Sequence, residues 1–176
     1  MSIRRHLSVL PLCAVLVLIL LPALPARAAD PAPVALAPLD HLDATLAVTG
    51  ADGGTTLYTP GRLETLPTVR VVTTTPWRDT PTTFDGVLLR DLLAAHGLSD
   101  IPSISVWAEN DFRVTVDRAI WQDTPLIVAT RANGAPIARR ARGPFLFVLD
   151  ADSYQDGDLV GERHLVWMAA RIAPER

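Results

Sequence analysis

Beyond Cys13 this chain has no cysteine. No disulfide, covalently attached haem, iron–sulfur cluster or cysteine nucleophile can be built from the body of the protein. Whatever fold forms must be held by packing alone. With 49% apolar residues in 176, there is material for one well-buried core.

The N-terminus reads as an export signal. Arg4, Arg5 and His6 precede an apolar run from Leu7 to Leu24, interrupted by Pro11 and Pro22. Ala26-Arg27-Ala28 then places small residues where a signal peptidase cuts. Cys13 lies too early in the run for a lipoprotein box. The expected organisation is a signal peptide over 1–28, an Ala/Pro-rich leader over 29–43 and one domain over 44–174. The location is then the periplasm or the cell exterior, with no membrane attachment once the signal is removed. Three of the 16 basic residues and none of the 19 acidic ones lie in 1–28, so cleavage moves the formal charge from −3 to −6. So acidic a chain is not a nucleic-acid binder. Every basic residue other than histidine is arginine.

Periodicity predicts a β-rich α+β domain with two or three short helices. Thr45–Thr49 and Thr55–Tyr58 alternate as strands around the Asp52-Gly53-Gly54 turn. Thr59 caps a short helix to Leu66, with Pro60 in its first turn. Thr68–Thr75 is β-branched and reads as a strand. Pro76–Thr83 reads as a loop. Phe84-Asp85-Gly86-Val87 leads into a helix over Leu88–His96, with Gly86 at a tight strand-to-helix junction and Gly97 as the stop. Strands follow at Ser103–Ala108, Phe112–Val116, Leu126–Thr130 and Phe145–Leu149. A helical turn is expected at Ala119–Trp121, a tight turn at Asn133-Gly134, a long polar loop over Asp150–Glu162 and a last strand-like segment over His164–Ile172.

Few residues form a recognisable chemical constellation. No G-x-S-x-G elbow is present. The acids Asp150, Asp152, Asp156, Asp158 and Glu162 do not meet EF-hand spacing. His41, His96 and His164 are not paired as zinc ligands. His96 is expected to sit, partly charged, at a helix C-terminus. Arg131, Arg139, Arg140 and Arg142 bracket the Asn133-Gly134 turn and could grip an oxyanion. Of the four tryptophans, Trp77 lies in the most polar, proline-flanked surroundings.

The order of motifs from Leu46 to Ile172 resembles the sulfite oxidase-like molybdopterin-binding domain. Phe84-Asp85-Gly86-Val87-Leu88-Leu89-Arg90-Asp91-Leu92-Leu93 is similar to that family's W/F-x-G-x-x-L-x-x-L-L. Asn110–Val116 resembles GY-x-x-x-I-P, and Leu126–Ile137 resembles LLAY-x-x-NG-x-PL. Arg142–Val148 and Gly161–Trp167 follow in the family's order. The resemblance implies a β-rich domain and a molybdenum-pterin site whose metal is held by a Cys thiolate. In this chain the matching region is Val71–Trp77, which has no cysteine. The family's active-site Tyr falls at Phe112, the Arg of GP-x-R at Leu146, and a strand-ending Pro at Asp150.

Two functions are compatible with this pattern. One is an exported module that has lost molybdenum redox catalysis and binds a small anion or a periplasmic protein partner, with no cofactor and no catalytic or metal-ligating residue. The other is a molybdopterin-dependent oxidoreductase, or a subunit of one, with an unusual molybdenum site. If a pocket persists, the resemblance gathers Thr73, Thr74, Thr75 and Trp77 with Asn110, Phe112, Arg139 and Arg142 around it. These supply hydroxyls, an aromatic wall and guanidinium groups. Arg142, in a polar segment, is expected to matter little for folding.

Overall fold

A computed structural model describes residues 30–39, 44–150 and 161–175. The proposed signal peptide, with Cys13, and His41, Asp152, Asp156 and Asp158 lie outside them. Eleven strands form two sheets. The first runs β1 (Ala32–Pro33), β4 (Thr68–Thr75), β5 (Arg78–Leu88), β8 (Ile127–Ala132) and β10 (Leu146–Val148), with β9 (Ala135–Pro136) also on β8. All its pairings are antiparallel. The second runs β3 (Thr55–Tyr58), β2 (Leu46–Thr49), β11 (Ala169–Pro174), β6 (Ser103–Ala108) and β7 (Arg113–Asp117), and only β2 and β11 pair in parallel. Three short helices, α1 (Pro60–Leu63), α2 (Leu89–Ala94) and α3 (Arg118–Asp123), complete it. Among the described residues, no helix is long and apolar enough to cross a membrane.

β8 and β10 of the first sheet are buried on both faces, which is why Leu126–Val128 and Phe145–Leu149 read as unbroken apolar runs. Val87, Val128, Phe145 and Phe147 face the main core with Leu46, Leu92, Ile104 and Trp121. Val71, Phe84, Ile127, Ile137, Leu146 and Val148 face a second, smaller core. Trp77 packs on that smaller core as well as the main one, and the segment after the Asn133-Gly134 turn covers it.

Several local expectations are corrected. Pro76–Thr83 is not a loop. Thr75 pairs with Arg78, so Pro76-Trp77 is a two-residue hairpin turn, and β5 runs from Arg78 through Leu88. Pro81 falls where the β4–β5 register shifts, which is where a strand tolerates proline. Gly86 is therefore inside a strand, not at a helix junction. A Cβ there would lie 2.3 Å from the Val128 carbonyl oxygen and 2.6 Å from Ala129 Cα. Its hydrogen atom lets β5 and β8 close up at the register shift after Asp85. The helix begins only at Leu89 and ends at Ala94. The leader is partly docked: Ala32 pairs with Arg70, Val34 N–H donates to the Thr68 carbonyl at 2.9 Å, and Arg90 pairs with Asp30 at 2.5 Å. The last strand starts at Ala169, after a 3-10 turn over Glu162–His164.

Candidate functional site

Three segments converge beside the smaller core. The first is the β4–β5 turn carrying Trp77. The second is a 3-10 turn over Arg139–Ala141 that ends in Arg142. The third is Trp167-Met168, joined to β10 by a bridge between Trp167 and Leu146. Arg142 is left-handed at φ +75°, and its N–H donates to the Arg139 carbonyl at 3.0 Å. Its own carbonyl accepts from Met168 N–H at 3.0 Å. The guanidinium lies over two indoles, 4.5 Å from the Trp77 ring centre and 4.6 Å from that of Trp167. Both contacts are within cation–π range, and the guanidinium N–H groups are its only donors. Arg142, expected from the sequence to matter little for folding, makes two cation–π contacts.

A cavity of about 250 Å³ opens alongside. Its walls are Trp77, Phe84, Ile137 and Leu146, with Arg78, Arg140 and Asn133 also lining it. Asn133 at φ 51° and Gly134 at φ 78° make the predicted tight turn. The Asn133 side-chain oxygen accepts from Thr83 N–H at 3.1 Å, which ties that turn to β5.

The arginine cluster divides by pairing. Arg131 is buried against Glu64 at 2.6 Å and also donates to the Ala37 carbonyl, so it belongs to the scaffold. Arg139 pairs with Glu109 at the start of the β6–β7 turn. Among the described residues, no carboxylate lies within ion-pair distance of Arg78, Arg140 or Arg142.

Of the eight predicted site residues, Trp77 lines the cavity and Arg142 stacks on Trp77. Neither Arg142 nor the other six line it. Thr73 donates to the Thr74 carbonyl at 3.0 Å, and Thr74 faces solvent. Thr75 Oγ1 is buried and, among the described residues, has no hydrogen-bond partner. Asn110 accepts from Phe112 N–H at 3.3 Å within the β6–β7 turn, and Phe112 is 41% exposed. That turn reaches the site through Glu109, which holds Arg139 and donates its N–H to the Met168 carbonyl at 2.9 Å. Residues missed are Arg78, Arg140, Asn133 and Trp167. Arg140 stood in the recognised cluster, and Asn133 was read only as a turn residue.

His96 lies just past the end of α2. Its Nε2 lies 2.9 Å from the Tyr58 hydroxyl, and burial pushes its pKa below the usual imidazole value. His164 is buried and likewise depressed, first by burial and then by the Arg163 charge.

The residues do not fit a molybdenum centre of the implied kind. The matching segment offers hydroxyls in place of a thiolate, and the Thr73 hydroxyl is committed to a backbone carbonyl. Among the described residues, no three His, Cys, Asp or Glu side chains gather as a metal-binding group.

The sequence matches no protein family and no curated protein. Its structure is similar to that of the sulfane dehydrogenase SoxCD from Paracoccus pantotrophus, with a TM-score of 0.56 at 16% identity. The match covers 77% of this chain and 39% of that one, so this chain spans well under half of the neighbour. At that identity the likeness speaks to fold alone. The β-rich α+β architecture expected from the sequence is the one observed, and the neighbour supports its sulfite oxidase-like type.

Proposed function

We propose that this protein is an exported, noncatalytic module that binds a small anion on a sulfite oxidase-like scaffold. The observation that carries this reading is Arg142. Its guanidinium is fixed by two indoles, and among the described residues no carboxylate pairs with it and its side chain makes no hydrogen bond. A cation held in place with open donor edges is preorganised for a planar or tetrahedral oxyanion. Arg78 and Arg140, similarly without carboxylate partners, add to the positive character of the same face of an otherwise acidic protein. The missing thiolate weighs against redox catalysis.

The test has two parts. Protein purified from a host that makes the pterin cofactor should contain far less than one molybdenum per chain by elemental analysis. The same protein should show saturable binding of small anions by calorimetry. Stoichiometric molybdenum with bound pterin would overturn the reading in favour of a molybdopterin-dependent oxidoreductase or subunit.

A further inference from the structure

Beyond a charge, the site has a shape. The cavity beside Trp77 presents carbon at its accessible lining: Trp77, Pro136 and Ala141 are reachable from solvent, and the buried side chains of Phe84, Ile137 and Leu146 lie behind them. Its polar lining is Asn133 with the arginines Arg78 and Arg140. Both arginines are exposed on the surface, and among the described residues neither meets a carboxylate. Arg78 makes a single long contact, 3.4 Å to the Thr82 hydroxyl.

A bare inorganic oxyanion uses only the rim of such a site. Sulfate would satisfy the guanidinium groups and leave the accessible faces of Trp77, Pro136 and Ala141 in water. A volume of about 250 Å³ exceeds the roughly 150 Å³ of an apolar cavity that holds benzene. It therefore accommodates one ring, or a short aliphatic chain, together with a carboxylate. Burying such a body removes apolar surface from water on both ligand and wall, and carboxylate–guanidinium pairing supplies orientation.

We propose that the cavity takes an amphipathic organic monoanion, a carboxylate carrying one ring or a short alkyl chain, in preference to inorganic oxyanions. This rests on the anion-binding reading and names the ligand class within it.

The full exported protein is titrated by calorimetry with phenylacetate, octanoate and sulfate, with tryptophan fluorescence as a second readout of events at Trp77. Phenylacetate or octanoate should bind at least tenfold more tightly than sulfate. Arg140→Ala should weaken both carboxylates about tenfold, the loss of one charge-assisted contact. Ala141→Leu, on an exposed lining position, should fill the cavity and weaken the carboxylates while leaving sulfate unchanged. Ala138→Leu is the companion variant if Ala141→Leu fails to fold. Sulfate binding as tightly as the carboxylates, with both weakened by Arg142→Ala, would overturn the ligand class and leave the anion site standing. Carboxylate binding indifferent to Arg140→Ala and to the filled cavity would overturn the location. Absence of binding by all three would overturn both readings.

Discussion

Arg142 can be tested by two substitutions that separate its backbone from its side chain. Arginine and alanine both carry a Cβ, and a left-handed residue with a Cβ costs about 1–2 kcal/mol. Position 142 is left-handed at φ +75°. Arg142→Ala keeps that cost and loses both indole contacts, each worth about 0.5–1 kcal/mol at a partly exposed site. It should therefore destabilise the domain by about 1–2 kcal/mol. Arg142→Gly loses the same contacts and is relieved of the backbone cost, so it should be more stable than Arg142→Ala by about 1 kcal/mol. For a domain of this size that is about 2–4 °C in unfolding temperature. Both variants lack the guanidinium and should bind small anions about tenfold or more weakly than the parent. Thermal unfolding and anion titration on the three proteins side by side give both answers. A glycine variant no more stable than the alanine variant would refute the left-handed cost. Unchanged anion affinity in both would refute the role of the side chain.

Three further outcomes follow from the scaffold. Gly86→Ala should cost at least about 3 kcal/mol or prevent folding, because its Cβ would meet the β8 backbone at Val128 and Ala129; expression and urea unfolding test this. Glu64→Ala should cost about 3–5 kcal/mol by leaving Arg131 buried without its carboxylate, and the double variant Glu64→Ala, Arg131→Met should recover much of that loss in the same unfolding assay. Stability should fall as pH drops below about 6.5: His96 and His164 have depressed pKa values in the fold, so the unfolded chain takes up protons first. Their contribution is fully present above the unfolded value and is lost as pH falls through the folded ones. Urea midpoints from pH 7.5 to 5.0 read this, and His96→Gln together with His164→Gln should flatten the profile in that window.

What could be read from the sequence, and what could not, divides along contact range. The Thr59 cap, whose hydroxyl accepts from Arg62 N–H, and the Asn133-Gly134 turn are decided by residues within a few positions, and both form as expected. Alternation in β2 was legible because one face is buried and the other is partly wet, and β4 was legible from its β-branched residues. Arg78–Thr83 was not. Its proline and charges signal a loop locally, but pairing with β4 at Arg78, Thr82 and Thr83 imposes extended backbone on it. Gly86 could be seen to need its small size, yet the reason, a carbonyl more than forty residues away, could not be seen.

The site divides in the same way. Residue types were legible: an isolated tryptophan beside proline, and arginines crowded after a turn. Which arginines remain available was not, because their carboxylates come from afar. Glu64 claims Arg131 across 67 positions of sequence, and Glu109 claims Arg139 across 30. Subtracting those pairs removes Arg139, which local inspection favoured, and leaves Arg140, which it passed over, beside Arg142. The charge offered to a ligand is thus a remainder of long-range pairing. This is why the arginine cluster could be seen in the sequence while its working members could be picked out only once the two sheets had brought Glu64 and Glu109 to their partners.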